Sequence, residues 1–301
     1  MENQIILILG KNGQVASALK EILGDKAISV DRNEINFLNP TEVVSFITKV
    51  NPDIVINTAA YTAVDKAESE PNEAELINHQ TPSAIAQWIA TNNKLLVHYS
   101  TDYVYEGSGS LPHSEFDNTL PLSCYARTKL AGDNEILKSG ARALILRTSW
   151  VYSHIGKNFF LTMLKLGSER ENLSIVCDQI GSPTYAPDLA ELTIKILNHP
   201  NIKNHNGAKL YNVCGTGYCS WFEFAEEIFR IAPEFSLPIK INTINKISSN
   251  DYQMAARRPL NSRLNQDLLK NDFNFKMPHW KDALSRAFKN LILRETSSKY
   301  N

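Results

Sequence analysis

The stretch IILILGKNGQVASAL, residues 5–19, decides the fold class. Its five leading apolar residues predict a strand buried on both faces, and the amphipathic residues that follow predict a helix. Gly10 and Gly13 lie at the turn between them, where missing side chains let a dinucleotide pyrophosphate approach backbone N–H groups at a helix N-terminus. The third small residue is Ala16, so the spacing is GxxGxxA and not GxGxxG. The stretch therefore favours the first βα unit of a dinucleotide-binding fold.

Apolar runs and amphipathic segments alternate through the first half of the chain. Strands are predicted near residues 5–9, 27–31, 53–59, 95–100 and 143–149. Helices are predicted between them, near residues 13–23, 41–50, 71–92 and 125–138. Strands that alternate with helices form a parallel sheet covered on both faces, and right-handed crossovers wind it in two directions. The sequence thus predicts an α/β fold with a doubly wound parallel sheet, the Rossmann fold.

The alternation loosens after residue 150. Further elements are predicted as helices near 158–167, 187–198 and 221–231 and as strands near 173–176 and 209–213. Two further stretches, 181–188 and 247–262, are rich in proline or polar residues, and the second is too irregular for a regular element, so we predict a loop there in contact with ligand. We therefore expect a dinucleotide-binding domain over residues 1–150. A smaller substrate-binding part is expected over residues 151–301, with some segments returning to the first sheet.

The composition excludes several classes of function. The chain has 301 residues, 43% of them hydrophobic, and a formal net charge of −1, which does not favour nucleic-acid binding. The four cysteines form no CxxC pair and the seven histidines form no HxxxH pair, so we predict reduced thiols and no metal site built by the protein. The apolar run near the N-terminus is too short for a signal peptide or a membrane span. We expect a cytoplasmic protein that binds neither nucleic acid nor membrane.

An acidic residue follows the second predicted strand. Asp31 comes about 20 residues after Gly10, where a carboxylate accepts hydrogen bonds from the adenosine ribose hydroxyls. Arg32 follows at once and offers a charge-assisted partner for a 2′-phosphate. The pair leaves open whether the cofactor is NADH or NADPH.

A threonine, a tyrosine and a lysine form the catalytic hypothesis. Thr101 ends the fourth predicted strand, at the edge where ligands bind in a doubly wound sheet. Tyr125 and Lys129 stand one helical turn apart at the start of the next helix. By themselves they also fit an ordinary helix surface. Next to the threonine, an ammonium that stabilises phenolate lowers the phenol pKa from its usual value of about 10 and makes Tyr125 a general acid or base.

Seven motifs, in order and across nearly the whole chain, carry a resemblance to a known family. They are GKNGQV (10–15), NTAAYTAVDKAESEP (57–71), HYSTDYVYEG (98–107), PLSCYARTKLAGD (121–133), LRTSWVY (146–152), DQIGSPT (178–184) and RRPLNSRL (257–264). With them the sequence resembles the extended short-chain dehydrogenase/reductases, in the branch that reduces 4-keto nucleotide sugars. A YxxxK pair alone marks only the superfamily, whereas the other motifs are more specific.

The resemblance implies reduction of the C4 keto group of a dTDP-linked 4-dehydro-6-deoxy sugar by NADPH or NADH. Tyr125 would be the proton donor, and Lys129 would hold the nicotinamide ribose. The remaining cofactor residues would be Gly10, Gly13, Gln14 and Val15 at the pyrophosphate, Asp31 and Arg32 at the adenosine ribose, Asn36 and Phe37 near the adenine, and Ala59, Ala60, Tyr61, Thr62 and Tyr99 at the nicotinamide half. The sugar nucleotide would contact Thr101, Asp102, Trp150 and Arg257. The resemblance also implies a homodimer, and some family members use Mg²⁺.

Departures from the family pattern keep two other functions open. Tyr61 stands where histidine is expected, and SCYAR replaces NVYGK, so Cys124 and Ala126 flank the tyrosine. One alternative is another nucleotide-sugar reductase, epimerase or dehydratase, although a dehydratase would have an Asp-Glu pair where Asp102-Tyr103 stands here. The other is a non-catalytic dinucleotide-binding regulatory subunit, similar to the beta subunit of methionine adenosyltransferase. Without the resemblance, Trp150 is also explained by core packing and Arg257 by a solvated loop.

Overall fold

Strands and helices alternate in this computed structural model, which describes residues 4–203 and 205–298. The strands are β1 (Ile6–Leu9), β2 (Ala27–Val30), β3 (Ile54–Asn57), β4 (Leu95–Thr101), β5 (Arg142–Thr148), β6 (Val151–Tyr152), β7 (Asn172–Val176), β8 (Ile180–Gly181), β9 (Thr184–Tyr185), β10 (Ala208–Asn212), β11 (Cys219–Ser220) and β12 (Thr243–Ile247). The helices are α1 (Gln14–Leu23), α2 (Pro40–Val50), α3 (Pro71–Glu75), α4 (Thr81–Asn92), α5 (Cys124–Lys138), α6 (Phe159–Glu169), α7 (Ala186–Asn198), α8 (Pro200–Lys203), α9 (Trp221–Ile231), α10 (Asp267–Phe273) and α11 (Trp280–Ser298).

Six of the described strands form one parallel sheet in the order β10-β5-β4-β3-β1-β2. The chain proceeds from β1 to β2 on one side and from β3 through β4 and β5 to β10 on the other. This arrangement confirms the predicted doubly wound α/β fold. The carboxyl ends of β1 and β3 flank the point where the direction reverses, and ligands bind at such a point in open parallel sheets.

Alternate residues of the strands form two apolar cores, one on each face of the sheet. Ile6 and Ile8 pack with α1 and α7, whereas Leu7 and Leu9 pack on the opposite face with α2 and α4. Because both faces are covered, the strands read as continuous apolar runs in the sequence. The same alternation in β4 puts Val97 on the α1 side and Leu96 on the α4 side.

A third, aromatic core lies outside the main sheet. Helices α6, α9 and α11 pack with the short parallel pair of β7 and β12, and buried phenylalanines fill the space between them. Phe160 meets Phe288 edge to face with ring centroids 4.9 Å apart. The small pairs β6–β9 and β8–β11 connect this core to the edge of the main sheet where β5 ends.

The helix predicted over residues 71–92 is divided in the structure. A π-helical turn, Leu76–Gln80, separates α3 from α4. The physical reason lies in Pro82, because a proline has no N–H to close the α-helical hydrogen bond onto the carbonyl of Asn78. The wider turn accommodates this gap and points the Asn78 carbonyl towards α5.

Several elements in the second half of the chain were not predicted. The proline- and polar-rich residues 181–188 contain the end of β8, all of β9 and the first turn of α7. The short strand β12 and the helices α10 and α11 were not predicted. Strand β12 and helix α10 are short and have few apolar residues, whereas the apolar residues of α11 do recur at helical spacing and were overlooked.

Gly132 lets α5 approach the π-helical turn closely. A Cβ added at this position would overlap the carbonyl oxygen of Asn78. We expect Gly132→Ala to lower the free energy of unfolding by about 1–3 kcal/mol, because the helices must separate despite the better helix propensity of alanine. Urea denaturation measures this change, with Asn134→Ala on the exposed face of α5 as the control. A variant as stable as the parent protein would show that the contact is not tight.

Candidate active site

The candidate site lies at the carboxyl edge of the main sheet. Gly10 follows β1, Ala59 follows β3, and Thr101 ends β4. Because the six strands are parallel, these three positions meet at one edge. The sequence placed them there from strand ends alone.

The glycine turn leaves a cradle at the start of α1. Gly10 has a φ of +101°, and a Cβ there would lie 2.7 Å from the hydroxyl oxygen of Thr58. The N–H of Gly13 bonds to the carbonyl of Gly10 at 2.9 Å, so it is already used. No side chain caps α1, which leaves the first N–H groups of the helix, at Gln14 and Val15, for an anion. These residues fit a dinucleotide pyrophosphate.

Asp31 is held in place at the end of β2. Its buried carboxylate accepts a hydrogen bond from the N–H of Asn33 at 2.8 Å and another from the side-chain amide of Asn12. Its neighbour Arg32 is exposed. The fixed carboxylate retains lone pairs for a ribose hydroxyl, since a carboxylate accepts about four hydrogen bonds.

The two residues predicted near the adenine occupy different environments. Phe37 is buried in the core beside α2, and its carbonyl accepts a hydrogen bond from the Thr81 hydroxyl at 3.0 Å. Asn36 is exposed, and its side-chain oxygen accepts from the N–H of Leu38 at 3.0 Å. Asn36 is thus the more accessible of the two for contact with a ligand.

The segment that follows β3 is fixed by the π-helical turn. The side chain of Asn78 accepts from the N–H of Tyr61 at 2.8 Å and donates to its carbonyl at 3.1 Å. The Tyr61 hydroxyl donates to Glu70 at 2.5 Å. The neighbouring Ala59 and Ala60 are partly exposed, and Thr62 is exposed. The two alanines keep this part of the edge open.

Tyr125 lies in the first turn of α5 and faces Thr101. The helix begins there because Ser123 accepts from the N–H of Ala126 at 3.2 Å and Glu68 accepts from the N–H of Cys124 at 2.7 Å. Burial raises the pKa of Tyr125 to about 12, and a hydrogen bond with the Thr101 hydroxyl opposes the rise. The two hydroxyls are therefore neighbours within hydrogen-bonding distance at the end of β4.

Lys129 does not lower the pKa of Tyr125 as the sequence predicted. Its Nζ is buried and donates to the carbonyl of Tyr99 at 2.6 Å, and it lies 3.1 Å from Nε2 of His98. The amine is thus directed towards β4, and burial of Tyr125 outweighs any attraction between the two residues. Burial also lowers the pKa of Lys129 to about 8, although the nearby Asp133 carboxylate opposes this.

The Tyr99 ring lies on the other face of β4. Its hydroxyl is hydrogen-bonded to Thr193 of α7 at 2.6 Å. The backbone carbonyl of Tyr99 therefore contacts Lys129, whereas its ring packs on the opposite face of the sheet with α1 and α7.

Asp102 is a buried carboxyl beside the two hydroxyls. Thr101 donates to its Oδ1 at 3.1 Å, while Oδ2 has no hydrogen-bond partner among the described residues. Burial raises the pKa of Asp102 to about 7, and the hydroxyls of Ser262 and Thr101 oppose the rise. The side chain is therefore partly protonated near neutral pH.

The indole of Trp150 is partly covered by residues of the second half of the chain. The residue adopts a left-handed φ of 48°, and its indole stacks on Trp221 with ring centroids 3.6 Å apart. A Cβ at Gly181 would lie 2.7 Å from the indole. The Nε1–H of Trp221 donates to Gln179 at 3.1 Å, which fixes the stack. The predicted contact of Trp150 with the sugar nucleotide is consequently restricted to the part of the ring that Trp221 and Gly181 leave exposed.

The loop that carries the RRPLNSRL motif is tied to the site at several points. Arg258 pairs with Asp65 at 2.7 Å, and the same carboxylate accepts from the N–H of Ala256 at 3.2 Å. The side chain of Asn261 donates to the carbonyl of Leu111 at 2.8 Å. Arg257, the predicted substrate residue, is exposed beside this anchored segment.

Several site residues were missed in the sequence. They are Asn57, Asp65, Glu68, His98, Trp221 and Ser262. All of them except Trp221 lie inside motifs that were quoted, so the signal was present. Their partners are distant in sequence, however, and only the fold brings them together.

The described residues offer no group of three His, Cys, Asp or Glu side chains that could hold a metal ion. The Mg²⁺ that the resemblance suggested thus finds no protein-built site in them. Among the described helices, none is long and apolar enough to cross a bilayer.

The chain is similar to known proteins over nearly its whole length. Residues 4–293 match the family described as the RmlD substrate binding domain. The chain is 40% identical over 297 residues to dTDP-4-dehydrorhamnose reductase of Escherichia coli K12, covering 95% of this chain and 98% of the relative.

Two solved structures are similar over nearly their whole length. One is dTDP-4-dehydrorhamnose reductase of Bacillus anthracis in complex with NADP, with a TM-score of 0.87 and 35% identity over 95% of this chain and 99% of that one. The other is the orthologue of Clostridium acetobutylicum, with a TM-score of 0.88 and 33% identity over the same shares of the two chains.

Asp102 makes stability depend on pH. Its folded-state pKa of about 7 lies above the usual 3.8, so the native state binds more protons than the unfolded state between these values. Stability must therefore fall as the pH rises through this window. We expect Asp102→Asn to gain about 2–3 kcal/mol relative to the parent protein between about pH 5 and about pH 8.

Urea denaturation at both pH values measures this difference. Asp282→Asn, at an exposed carboxyl of α11, is the matched control and should show no such gain. A difference between Asp102→Asn and the parent that does not change with pH would mean that Asp102 stays ionised.

Proposed function

The chain belongs to the dTDP-4-dehydrorhamnose reductase family, and on that premise we propose that it reduces the C4 keto group of dTDP-4-dehydro-L-rhamnose to give dTDP-L-rhamnose. NADPH or NADH, when bound, supplies the hydride. The observation that carries the proposal is the pair of hydroxyls of Tyr125 and Thr101 at the carboxyl end of β4.

Tyr125 is the proposed proton donor. Hydride addition to C4 leaves an oxyanion, which takes the phenolic proton of Tyr125. The Thr101 hydroxyl, which donates to Asp102 in the structure, turns to donate a hydrogen bond to this oxygen. The pKa of about 12 keeps the phenol protonated until this charge develops. An alkoxide is more basic than phenolate, so the proton moves downhill. Tyr125 therefore acts as an acid without prior activation by Lys129.

The remaining side chains hold the two ligands. We assign the cradle of Gly10, Gly13, Gln14 and Val15 to the pyrophosphate and Asp31 to the adenosine ribose. Lys129 offers an N–H to the nicotinamide ribose, because Tyr99 and His98 occupy only two of its positions. Asp102, the Trp150 edge and Arg257 face the sugar nucleotide. A homodimer and a cytoplasmic location are proposed from the resemblance alone.

Tyr125→Phe tests the proton donor. We expect kcat to fall by about 10²–10⁴ with little change in cofactor affinity, because the ring remains and only the proton is lost. Cofactor oxidation with dTDP-4-dehydro-L-rhamnose measures turnover, and NADPH titration measures binding. Tyr218→Phe, at an exposed tyrosine, is the control.

A Tyr125→Phe variant that keeps more than about a tenth of the parent activity would rule out Tyr125 as the acid. If the parent protein itself binds NADPH but does not turn over, the regulatory-subunit alternative is favoured instead.

The cofactor preference is expected to be weak. Asp31 favours free ribose hydroxyls and repels a 2′-phosphate, whereas the exposed Arg32 attracts that phosphate. The opposed effects leave less than about tenfold between NADH and NADPH in kcat/KM. Asp31→Ala should shift the preference towards NADPH and Arg32→Ala towards NADH. A parent ratio beyond about a hundredfold would show that one of the side chains does not reach the ribose.

A further inference from the structure

A buried chain of polar groups runs behind the candidate site from the end of β3 to α5. The N–H of Ala59 donates to Oδ1 of Asn57 at 3.1 Å. Nδ2 of Asn57 lies 3.1 Å from Nδ1 of His98, and Nε2 of His98 lies 3.1 Å from Nζ of Lys129. Asn57, His98 and Lys129 are all buried. The chain thus ends on the lysine assigned to the cofactor.

The first hydrogen bond gives this chain a direction. A backbone N–H can only donate, so Ala59 fixes the side-chain oxygen of Asn57 on its own side. The NH₂ group of Asn57 must then face His98 and donate to Nδ1. Burial holds the pKa of His98 well below its usual value, so the imidazole is neutral and carries one proton. With Nδ1 as the acceptor, that proton sits on Nε2.

The amine of Lys129 therefore meets an N–H of His98 and not a lone pair. A neutral amine suits this position, because its lone pair accepts from His98 and one of its N–H groups donates to the Tyr99 carbonyl at 2.6 Å. The second N–H is left for a ligand. An ammonium has three N–H groups and no lone pair, so one of them would oppose the N–H of His98.

We propose that His98 is a positioning residue for Lys129. The Nε2–H of His98, which Asn57 and Ala59 fix, favours the neutral amine of that lysine over its ammonium form. This inference deepens the proposed role of Lys129 in the reductase. Burial already lowers the pKa of Lys129 to about 8, compared with about 10 for an ordinary lysine, and the N–H of His98 acts in the same direction.

The nearest charged group opposes this preference, whereas burial supports it. The Asp133 carboxylate, on the same helix, favours the ammonium, and it is itself paired with Arg147 of β5 at 3.0 Å. Burial favours the neutral amine and is the largest influence on its pKa, so the hydrogen-bond chain acts in the same direction as burial. Besides His98 on β4, the titratable or charged side chains around the amine among the described residues are Tyr125 and Asp133 on α5 and Arg147 on β5. Tyr99 contributes only its backbone carbonyl, because its ring lies on the other face of β4.

The tautomer of His98 in the full-length protein without ligands tests the proposal directly. Long-range ¹H–¹⁵N correlation spectra distinguish Nε2–H from Nδ1–H, and His98→Gln identifies the signals by their loss. We expect the Nε2–H tautomer across neutral pH. An Nδ1–H tautomer or an imidazolium would overturn the proposal. Neither substrate nor cofactor is present, so this result is independent of whether the proposed reaction occurs.

Asn57→Asp reverses the direction of this chain of hydrogen bonds, and the new side chain has nearly the same size as asparagine. The carboxylate still accepts from Ala59, but its second oxygen now accepts from His98, which moves the imidazole proton to Nδ1. Nε2 then offers a lone pair that suits the ammonium. We expect the Nδ1–H tautomer, and an upward shift of the Lys129 titration midpoint by about one pH unit or more in ¹³Cε-lysine spectra. Asn134→Asp, exposed on α5, should change neither signal.

A raised midpoint without a change of tautomer would show that the added charge acts alone, and it would overturn the directional chain. An unchanged midpoint with the tautomer reversed would show that His98 does not set the protonation of Lys129. If Asn57→Asp does not fold, the tautomer in the parent protein decides the question.

Discussion

The burial of Lys129 is the constraint on which the site depends. An amine in a protein interior is stable only when its polar atoms have partners, and the carbonyl of Tyr99 is the closest one, at 2.6 Å. That bond ties α5 to β4 at one register. Since Tyr125 precedes Lys129 by one turn, the same register brings its phenol to the hydroxyl of Thr101. On another side of α5, Gly132 allows close contact with the π-helical turn at Asn78.

The second half of the chain closes the site from the other side. The loop with the RRPLNSRL motif is anchored through Arg258 to Asp65, in the segment after β3, and through Asn261 to the loop after β4. The Trp150–Trp221 stack joins the end of β5 to the aromatic core. The proposed ligand-binding positions come from distant parts of the sequence and are consequently held at fixed separations, as a site that aligns two ligands requires.

The sequence predicted the fold class and the edge of the sheet that carries the site. Both follow from local patterns, since apolar alternation and strand ends are readable without contacts. The effect of Lys129 on Tyr125 was predicted wrongly, because the extent of burial cannot be read from a YxxxK spacing. His98 and Asn57 were missed as partners, since they are 41 residues apart along the chain and meet only in adjacent strands. The stacking of Trp150 on Trp221 likewise could not be predicted, because these two residues are distant in the sequence.

A crystal structure of the protein with NADPH bound would test this account most directly. It should place a nicotinamide ribose hydroxyl within about 3 Å of Lys129 Nζ while the bond to the Tyr99 carbonyl persists. The nicotinamide C4 should face the hydroxyls of Tyr125 and Thr101. A complex in which Lys129 leaves Tyr99 to reach the cofactor, or in which the nicotinamide lies away from the two hydroxyls, would contradict it.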